Sequence, residues 1–115
     1  MELEIKTETF KDISIIKPVG RIDPMTVDDF ETAIRKSILN GRTKIIVEGS
    51  GITYISSAGL GVLMGYIEEV REKGGDIVVC NISPKIYEIF DLLGFTRIYK
   101  FFPSLQEALS YFEGK

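Results

Sequence analysis

The sequence predicts a single α/β domain whose mixed, mainly parallel β-sheet has an antiparallel first strand and is covered by about four α-helices. The chain has 115 residues, the usual length of one domain, and we expect residues 1–115 to fold as one unit. Short β-branched runs alternate with helical patterns, which indicates right-handed crossovers between parallel strands. Only a few residues join the first two runs, which favours an antiparallel hairpin at the start of the sheet.

The composition limits the possible functions. A net charge of -3 provides no basic surface, so we expect no nucleic-acid partner. Histidine is absent, which excludes Ser-His-Asp and Cys-His catalysis and, with the single cysteine Cys80, argues against a zinc site. These absences favour a protein that is not an enzyme and that holds no cofactor or metal. Cys80 ends an apolar run, and we expect a buried, reduced thiol there.

The sequence contains no targeting or membrane signal. The charged start Met1–Glu4 is unlike a signal peptide. No apolar run approaches the ~20 residues that a membrane span needs. We therefore expect a cytoplasmic protein without a membrane partner.

The first hairpin is predicted from a period of two residues. Leu3, Ile5 and Thr7 alternate with charged residues, which is typical of a strand with one buried face. A turn at Phe10–Asp12 leads to a second β-branched run. Pro18 in that run cannot donate to a ladder, which favours an edge or a bulge.

The first helix has two candidate starts. Residues Gly20–Pro24 end the second strand, and Asp23 before Pro24 is typical of an N-cap followed by the first helical residue. Thr26 with Asp29 is a rival start, close to a capping box. The apolar stripe of this helix comprises Val27, Phe30, Ala33, Ile34 and Ile38.

The middle of the chain predicts two strands around a long helix. Thr43–Val47 and Asp76–Cys80 are continuous apolar runs, so we expect both faces of these strands to be covered. Gly49–Gly51 bends the chain, and Ile52–Ile55 connects it to a helix over about residues 57–73.

Two further helices are predicted from their caps. Ser83 before Pro84 is an N-cap with proline at the first helical position. Ser104 begins a capping box that Glu107 completes. Between these helices, Thr96–Tyr99 predicts a short last strand.

A helical wheel of residues 57–72 divides the long helix into two faces. Gly61 and Gly65 fall opposite the apolar stripe, and Ala58 lies nearby. Each exposed helix glycine costs ~1 kcal/mol relative to alanine, so the pair favours close approach by a partner's backbone. Neutral drift, or a helix that begins later, is the alternative. The stripe assigned to the core comprises Leu60, Leu63, Met64, Ile67 and Val70.

Two serines, Ser56 and Ser57, stand at the predicted start of this helix. One of them can serve simply as an N-cap. A phosphate on the other would meet free backbone N–H groups and the positive end of the helix dipole. Phosphorylation adds ~1.5–2 negative charges, which a partner on the glycine stripe would encounter directly. The pattern therefore predicts a docking surface that phosphorylation can switch.

The segment Ser56–Gly61 resembles the loop Asp-Ser-Ser/Thr-Gly-Leu-Gly of the STAS domain, specifically of the bacterial anti-sigma factor antagonists. The chain departs from that loop at two positions, because Ser56 replaces the aspartate and Ala58 replaces the second hydroxyl residue. The resemblance extends along nearly the whole chain. Other matching segments are Gly20–Asp23 with Thr26, Gly74–Cys80 with Ile82–Pro84, and Phe90–Gly94.

The resemblance implies a STAS-like fold and a role as an anti-sigma factor antagonist. In that family the unphosphorylated antagonist binds an anti-sigma factor and frees a sigma factor. The anti-sigma factor is also an ATP-dependent serine kinase that releases the antagonist by phosphorylating it, and a serine phosphatase restores binding. The phosphorylated serine maps onto Ser57, with Ser56 as a competing acceptor, and ATP is bound by the partner rather than by this chain.

The resemblance also implies a set of partner-binding residues. Asp23 matches an acidic position that the family uses near the partner surface, although a plain N-cap explains it equally well. The implied set is Asp23, Ser56, Ser57, Ala58, Gly59, Gly61 and Gly65.

Two other functions remain open. The lost aspartate favours a constitutive STAS subunit of a transport or signalling scaffold without a phospho-switch. A nucleotide-binding enzyme has less support, because Gly59-x-Gly61 lacks the third glycine of a dinucleotide loop and the lysine of a Walker loop.

Overall fold

The computed structural model of the chain describes residues 3–114. Residues 1, 2 and 115 lie outside that range. The ends of the predicted domain 1–115 and the first two residues of the charged start Met1–Glu4 therefore lie outside the described residues. The elements are β1 (Leu3–Phe10), β2 (Ile13–Ile22), α1 (Val27–Leu39), β3 (Lys44–Glu48), β4 (Ile52–Ile55), α2 (Ser57–Glu72), β5 (Asp76–Cys80), α3 (Pro84–Leu92), a 3₁₀ turn (Phe95–Arg97), β6 (Phe101–Phe102) and α4 (Leu105–Glu113).

The sheet is mixed, as the sequence predicts. Its strand order is β1-β2-β3-β5-β6, with β4 paired to β2 beyond the end of β3. Strands β1 and β2 are antiparallel in an unbroken register from Leu3↔Gly20 to Phe10↔Ile13. The remaining pairs are parallel. The predicted hairpin and the mainly parallel sheet are therefore confirmed.

Strand β2 has two parallel neighbours along one edge. Ile13–Ile16 pair with β3, and Gly20–Ile22 pair with β4 after an irregularity between Gly20 and Arg21. Pro18 lies between the residues that pair with β3 and those that pair with β4. Its lack of an N–H therefore removes no hydrogen bond to either parallel neighbour. The strand ends within the predicted segment Gly20–Pro24, because the pairing with β4 carries it on to Ile22.

Two short strands differ from the prediction. Strand β4 was predicted only as a connection, because its four residues show no alternation and become a strand by pairing with β2. The predicted strand Thr96–Tyr99 is wrong. That segment begins inside the 3₁₀ turn Phe95–Arg97. Beyond the turn, the Tyr99 N–H donates to the Phe95 carbonyl (2.9 Å) and the two rings stack at 5.8 Å. The last strand, β6, follows it.

Both faces of β3 and β5 are covered, as their continuous apolar runs predict. Ile45 and Val47 of β3 point into a core under α1, α2 and α3. Ile46 points to the opposite face, into a smaller core with Phe112 of α4. Burial on both faces removes the need for alternating polar residues in β3 and β5.

The caps of α3 and α4 are confirmed. Ser83 Oγ accepts from the Ile86 N–H, and Ser104 Oγ accepts from the Glu107 N–H, each at 3.2 Å. Proline follows Ser83 at the first helical position, where its lack of an N–H costs nothing.

A buried carboxylate joins the two helical layers. Asp76, at the start of β5, accepts from Arg71 Nε of α2 (3.0 Å) and from the Tyr111 hydroxyl of α4 (2.9 Å). Arg71 Nη2 also donates to the Ile98 carbonyl at 2.6 Å. These bonds satisfy a charge that burial would otherwise penalise strongly, and they tie helices on opposite faces to one strand end.

Cys80 is free and buried, as predicted. Burial first, and then the nearby Glu48 carboxylate, raise the pKa of the Cys80 thiol to about 12. We therefore expect Ellman's reagent to label the native protein more than about 100-fold more slowly than the unfolded chain, because only the exposed thiolate reacts. Guanidinium-unfolded protein is the control, and rapid stoichiometric labelling of the native state would contradict this assignment.

Candidate functional site

The ends of two parallel strands bring Asp23 and Ser56 together. Ile22 of β2 is paired with Ile55 of β4, so the next residue of each strand emerges at the same edge of the sheet. The Ser56 N–H donates to the Ile22 carbonyl at 2.9 Å and fixes this arrangement. Carboxyl ends of parallel strands are the usual position for functional residues in α/β sheets.

The two serines have different environments. Ser56 occupies the N-cap position with an extended backbone (φ -94°, ψ 172°), but its side chain makes no cap hydrogen bond. Its Oγ is buried and has no hydrogen-bond partner within residues 3–114. Ser57 is the first residue of α2 and is exposed. The accessible hydroxyl at this helix start is therefore that of Ser57.

The exposed side of α2 carries few side chains. Gly61 and Gly65 are both exposed, and a Cβ added at either would meet nothing within 4 Å. Met64 lies beside them with 43% of its surface exposed, so its predicted place in the core is wrong. The buried stripe contains Leu60, Leu63, Ile67 and Val70. Met64 is the residue after Leu63 and is therefore rotated about 100° from it around the helix, which places Met64 outside the buried stripe.

We call the exposed surface formed by Ser57, Gly61, Met64 and Gly65 the α2 face. Ala58 is half-buried at its margin.

Gly59 is not part of this face. It is buried, and an added Cβ would lie 2.7 Å from Ile22 Cγ2 and 2.8 Å from Ile55 Cγ1. The first turn of α2 thus packs directly against strands β2 and β4. Gly59 therefore has no exposed surface for the predicted partner contact. Its close packing against Ile22 and Ile55 explains why this position is a glycine.

The turn between β2 and α1 presents Asp23. Helix α1 begins at Val27, so Pro24 is not helical and the rival start at Thr26 is the correct one. The Thr26 hydroxyl does not cap α1, because it donates to the Arg21 carbonyl (2.8 Å). Asp23 Oδ1 instead accepts from the Met25 N–H (2.9 Å) and the Thr26 N–H (3.2 Å), which makes Asp23 the anchor of the turn.

Asp23 remains charged in this turn. Desolvation pushes the pKa of its carboxyl up, but the hydrogen bonds from the Met25 N–H and the Arg21 side chain outweigh it and hold the pKa below its ordinary value. Arg21 Nε lies 3.4 Å from Asp23 Oδ2, and the Arg21 guanidinium lies 4.5 Å from the centre of the Tyr54 ring. A fixed anionic group therefore stands beside the serines.

Met25 was not singled out from the sequence. It is 92% exposed at the tip of the turn, next to Asp23. Methionine is flexible and polarizable, and exposed methionines recur at surfaces that adapt to a partner. The sequence feature that could have identified it is its position: an apolar residue in a turn, between Pro24 and the N-cap residue Thr26, has no reason to be buried.

Within residues 3–114 no group of three or more His, Cys, Asp or Glu side chains is arranged to hold a metal ion. Across the same residues, no helix combines the length and the apolar character that crossing a membrane requires.

The family model of the STAS domain matches residues 4–108, and the chain belongs to this family. The anti-sigma F factor antagonist of Paenibacillus polymyxa is 25% identical over 114 residues, which cover 98% of this chain and 97% of that protein. The anti-sigma-B factor antagonist of Staphylococcus epidermidis is 27% identical over 94 residues, 82% of this chain and 87% of that one.

Solved structures share the fold. The anti-sigma factor antagonist SpoIIAA in its unphosphorylated form superposes with a TM-score of 0.83 at 22% identity, covering 97% of this chain and 98% of that one. The Bacillus SpoIIAA in its phosphorylated form gives 0.71 at 21% identity, covering 94% and 98%. The STAS-like fold predicted from the sequence is thereby confirmed.

The glycines of α2 predict opposite stability effects. Gly59→Ala should lower the free energy of unfolding by ~1–3 kcal/mol, because the added methyl group overpacks the contact with Ile22 and Ile55. Gly61→Ala should raise it by up to about 1 kcal/mol, because alanine favours an exposed helix position. Urea denaturation of both variants measures the difference. An equal loss in the two variants would contradict the assignment of Gly61 to the surface.

Proposed function

We propose that this protein is an anti-sigma factor antagonist whose unphosphorylated form binds an anti-sigma factor and thereby releases a sigma factor. The observation that carries the proposal is the exposed Ser57 hydroxyl at the start of the side-chain-poor α2 face. The names of the relatives support the same class of function.

The α2 face suits a partner that packs closely. Gly61 and Gly65 leave the helix backbone uncovered, so a partner's helix or strand can approach it more closely than any side chain would allow. Met64 on the face and Met25 on the neighbouring turn supply exposed apolar surface. Such a contact buries apolar area around a tight backbone approach, as in other specific interfaces.

Phosphorylation of Ser57 would switch this contact off. The N–H groups of the first helical turn have no intrahelical acceptor, and a phosphate there is favoured by the helix dipole, so the domain stays folded. The added ~1.5–2 negative charges stand at the start of the α2 face. A partner that packs on this face would have to remove water from the phosphate, and any acidic group it brings there would be repelled. The Asp23 carboxylate adds a second negative charge nearby.

The burial of Ser56 Oγ supports Ser57 as the acceptor. In this proposal the anti-sigma factor is itself an ATP-dependent serine kinase, and a serine phosphatase reverses the modification. This chain supplies a substrate hydroxyl and a binding surface and catalyses no reaction. We place it in the cytoplasm without a nucleic-acid or membrane partner.

The phospho-switch is tested with the purified cognate anti-sigma factor and ATP. Mass spectrometry should find one phosphate on Ser57, lost in Ser57→Ala and kept in the control Ser56→Ala. Ser57→Asp should weaken binding to the anti-sigma factor more than about tenfold, or ~1.4 kcal/mol, measured by calorimetry. Binding that persists without any phosphorylation and is unaffected by Ser57→Asp would identify a constitutive STAS subunit instead.

The close backbone approach is tested separately. Gly61→Gln should lower the affinity for the anti-sigma factor at least about tenfold, because a long side chain separates the two backbones. Glu72→Gln, on the last turn of the same helix, is the matched control and should bind normally. Unchanged affinity in Gly61→Gln would remove the α2 face from the interface, whether or not Ser57 is phosphorylated.

A further inference from the structure

Strand β1 forms an edge of the sheet that the fold leaves open. It is eight residues long, contains no proline, and keeps an unbroken register with β2 over its whole length. β2 is its one neighbour in the sheet described for residues 3–114. Natural edge strands are usually protected by short length, proline, bulges, charged side chains or a covering element. β1 is long and has neither proline nor bulge; its protection is the row of exposed charges Glu4, Lys6 and Glu8, which a strand with a matching charge pattern would neutralise while it pairs with the outer backbone N–H and C=O groups.

We propose that this edge pairs antiparallel with β1 of a second copy of the chain, about a two-fold axis at Thr7, to give a symmetric dimer with a continuous sheet. The proposal does not depend on the function of Ser57, because the strand and the α2 face share no residue. Addition of a strand at an exposed edge gains main-chain hydrogen bonds along its length.

The charges on β1 select this register. Glu4, Lys6 and Glu8 are all exposed and lie on one side of the strand. With the axis at Thr7, Lys6 faces Glu8 of the second copy, and by symmetry Glu8 faces Lys6. Opposite charges directly across two strands stabilise the pair.

The neighbouring registers are less favourable. An axis at Lys6 sets that lysine against itself and Glu4 against Glu8, so every charged pair is repulsive. An axis at Ile5 restores opposite charges but pairs only Leu3–Thr7. The axis at Thr7 pairs the longer stretch Glu4–Phe10 within the strand as the structure describes it.

The surroundings of the strand fit the same arrangement. Lys17 Nζ of β2 lies 3.2 Å from Glu8 Oε2, so Glu8 would stand between this lysine and Lys6 of the second copy. On the opposite face of the strand from these charges, half-buried Leu3 and Ile5 line an open groove of about 300 Å³ against α1. The second strand would place Thr9 opposite Ile5 and cover part of this apolar surface.

Charge reversal tests the proposal with the full chain. Sedimentation velocity over a concentration series should show a monomer–dimer equilibrium for the wild type. Lys6→Glu and Glu8→Lys should each raise the dimer dissociation constant at least about tenfold, because each variant faces itself with like charges at both positions. An equimolar mixture of the two variants should recover the dimer, because their strands then carry opposite charges. Lys85→Glu, an exposed position on α3, is the matched control and should dimerise normally.

Three outcomes would overturn the proposal. They are a wild type that stays monomeric up to about 1 mM, a Lys6→Glu variant that dimerises as well as the wild type, and folded variants whose mixture does not associate. Thermal unfolding of each variant checks that it is folded. If Glu8→Lys does not fold without its contact to Lys17, the comparison of Lys6→Glu with Lys85→Glu decides the question alone.

Discussion

The pairing of β2 with two different parallel strands along one edge is the constraint on which the functional site depends. β3 accompanies the first part of β2 and β4 the last part, so the chain must leave β3, bend and rejoin the same edge. Gly51 makes this possible, because an added Cβ would lie 2.9 Å from the Pro18 carbonyl oxygen. The Gly20 N–H then donates to the Gly51 carbonyl at 2.9 Å and closes the junction. Without this bend, Ser56 would not emerge beside Ile22.

Buried carboxylates hold the strand ends that surround this bend. Glu48, at the end of β3, accepts from the Ser50 hydroxyl (3.0 Å) and from Asn81 Nδ2 (2.7 Å), so the bend is tied to the end of β5. Asp76 plays the corresponding part at the start of β5, where it joins α2 to α4. Each carboxylate is acceptable in the interior because several donors replace its lost hydration. The two ends of the sheet are therefore fixed by polar contacts, while apolar packing fills the space between them.

Features that depend on neighbouring residues could be predicted from the sequence, and features that depend on distant ones could not. Ser83 and Ser104 each act on an N–H three residues away, so their caps are visible in the sequence itself. Strand β4 exists because it pairs with β2, some thirty residues earlier. Its four residues show no alternation, so their own sequence does not predict this pairing. The same holds within the site. The position of Ser57 followed from local pattern, whereas the burial of Gly59 depends on Ile22 and Ile55.

The start of α2 has a consequence for the stability of the proposed phosphorylated form. Its first turn has no side-chain cap and no acidic residue, so neither usual source of stability at a helix start is present. The turn is held instead by the packing of Gly59 and Leu60 and by the Ser56 N–H, which donates to the Ile22 carbonyl at 2.9 Å. In the proposed switch, a phosphate on Ser57 would supply the missing negative charge, so the modification would strengthen the helix start at which it is placed.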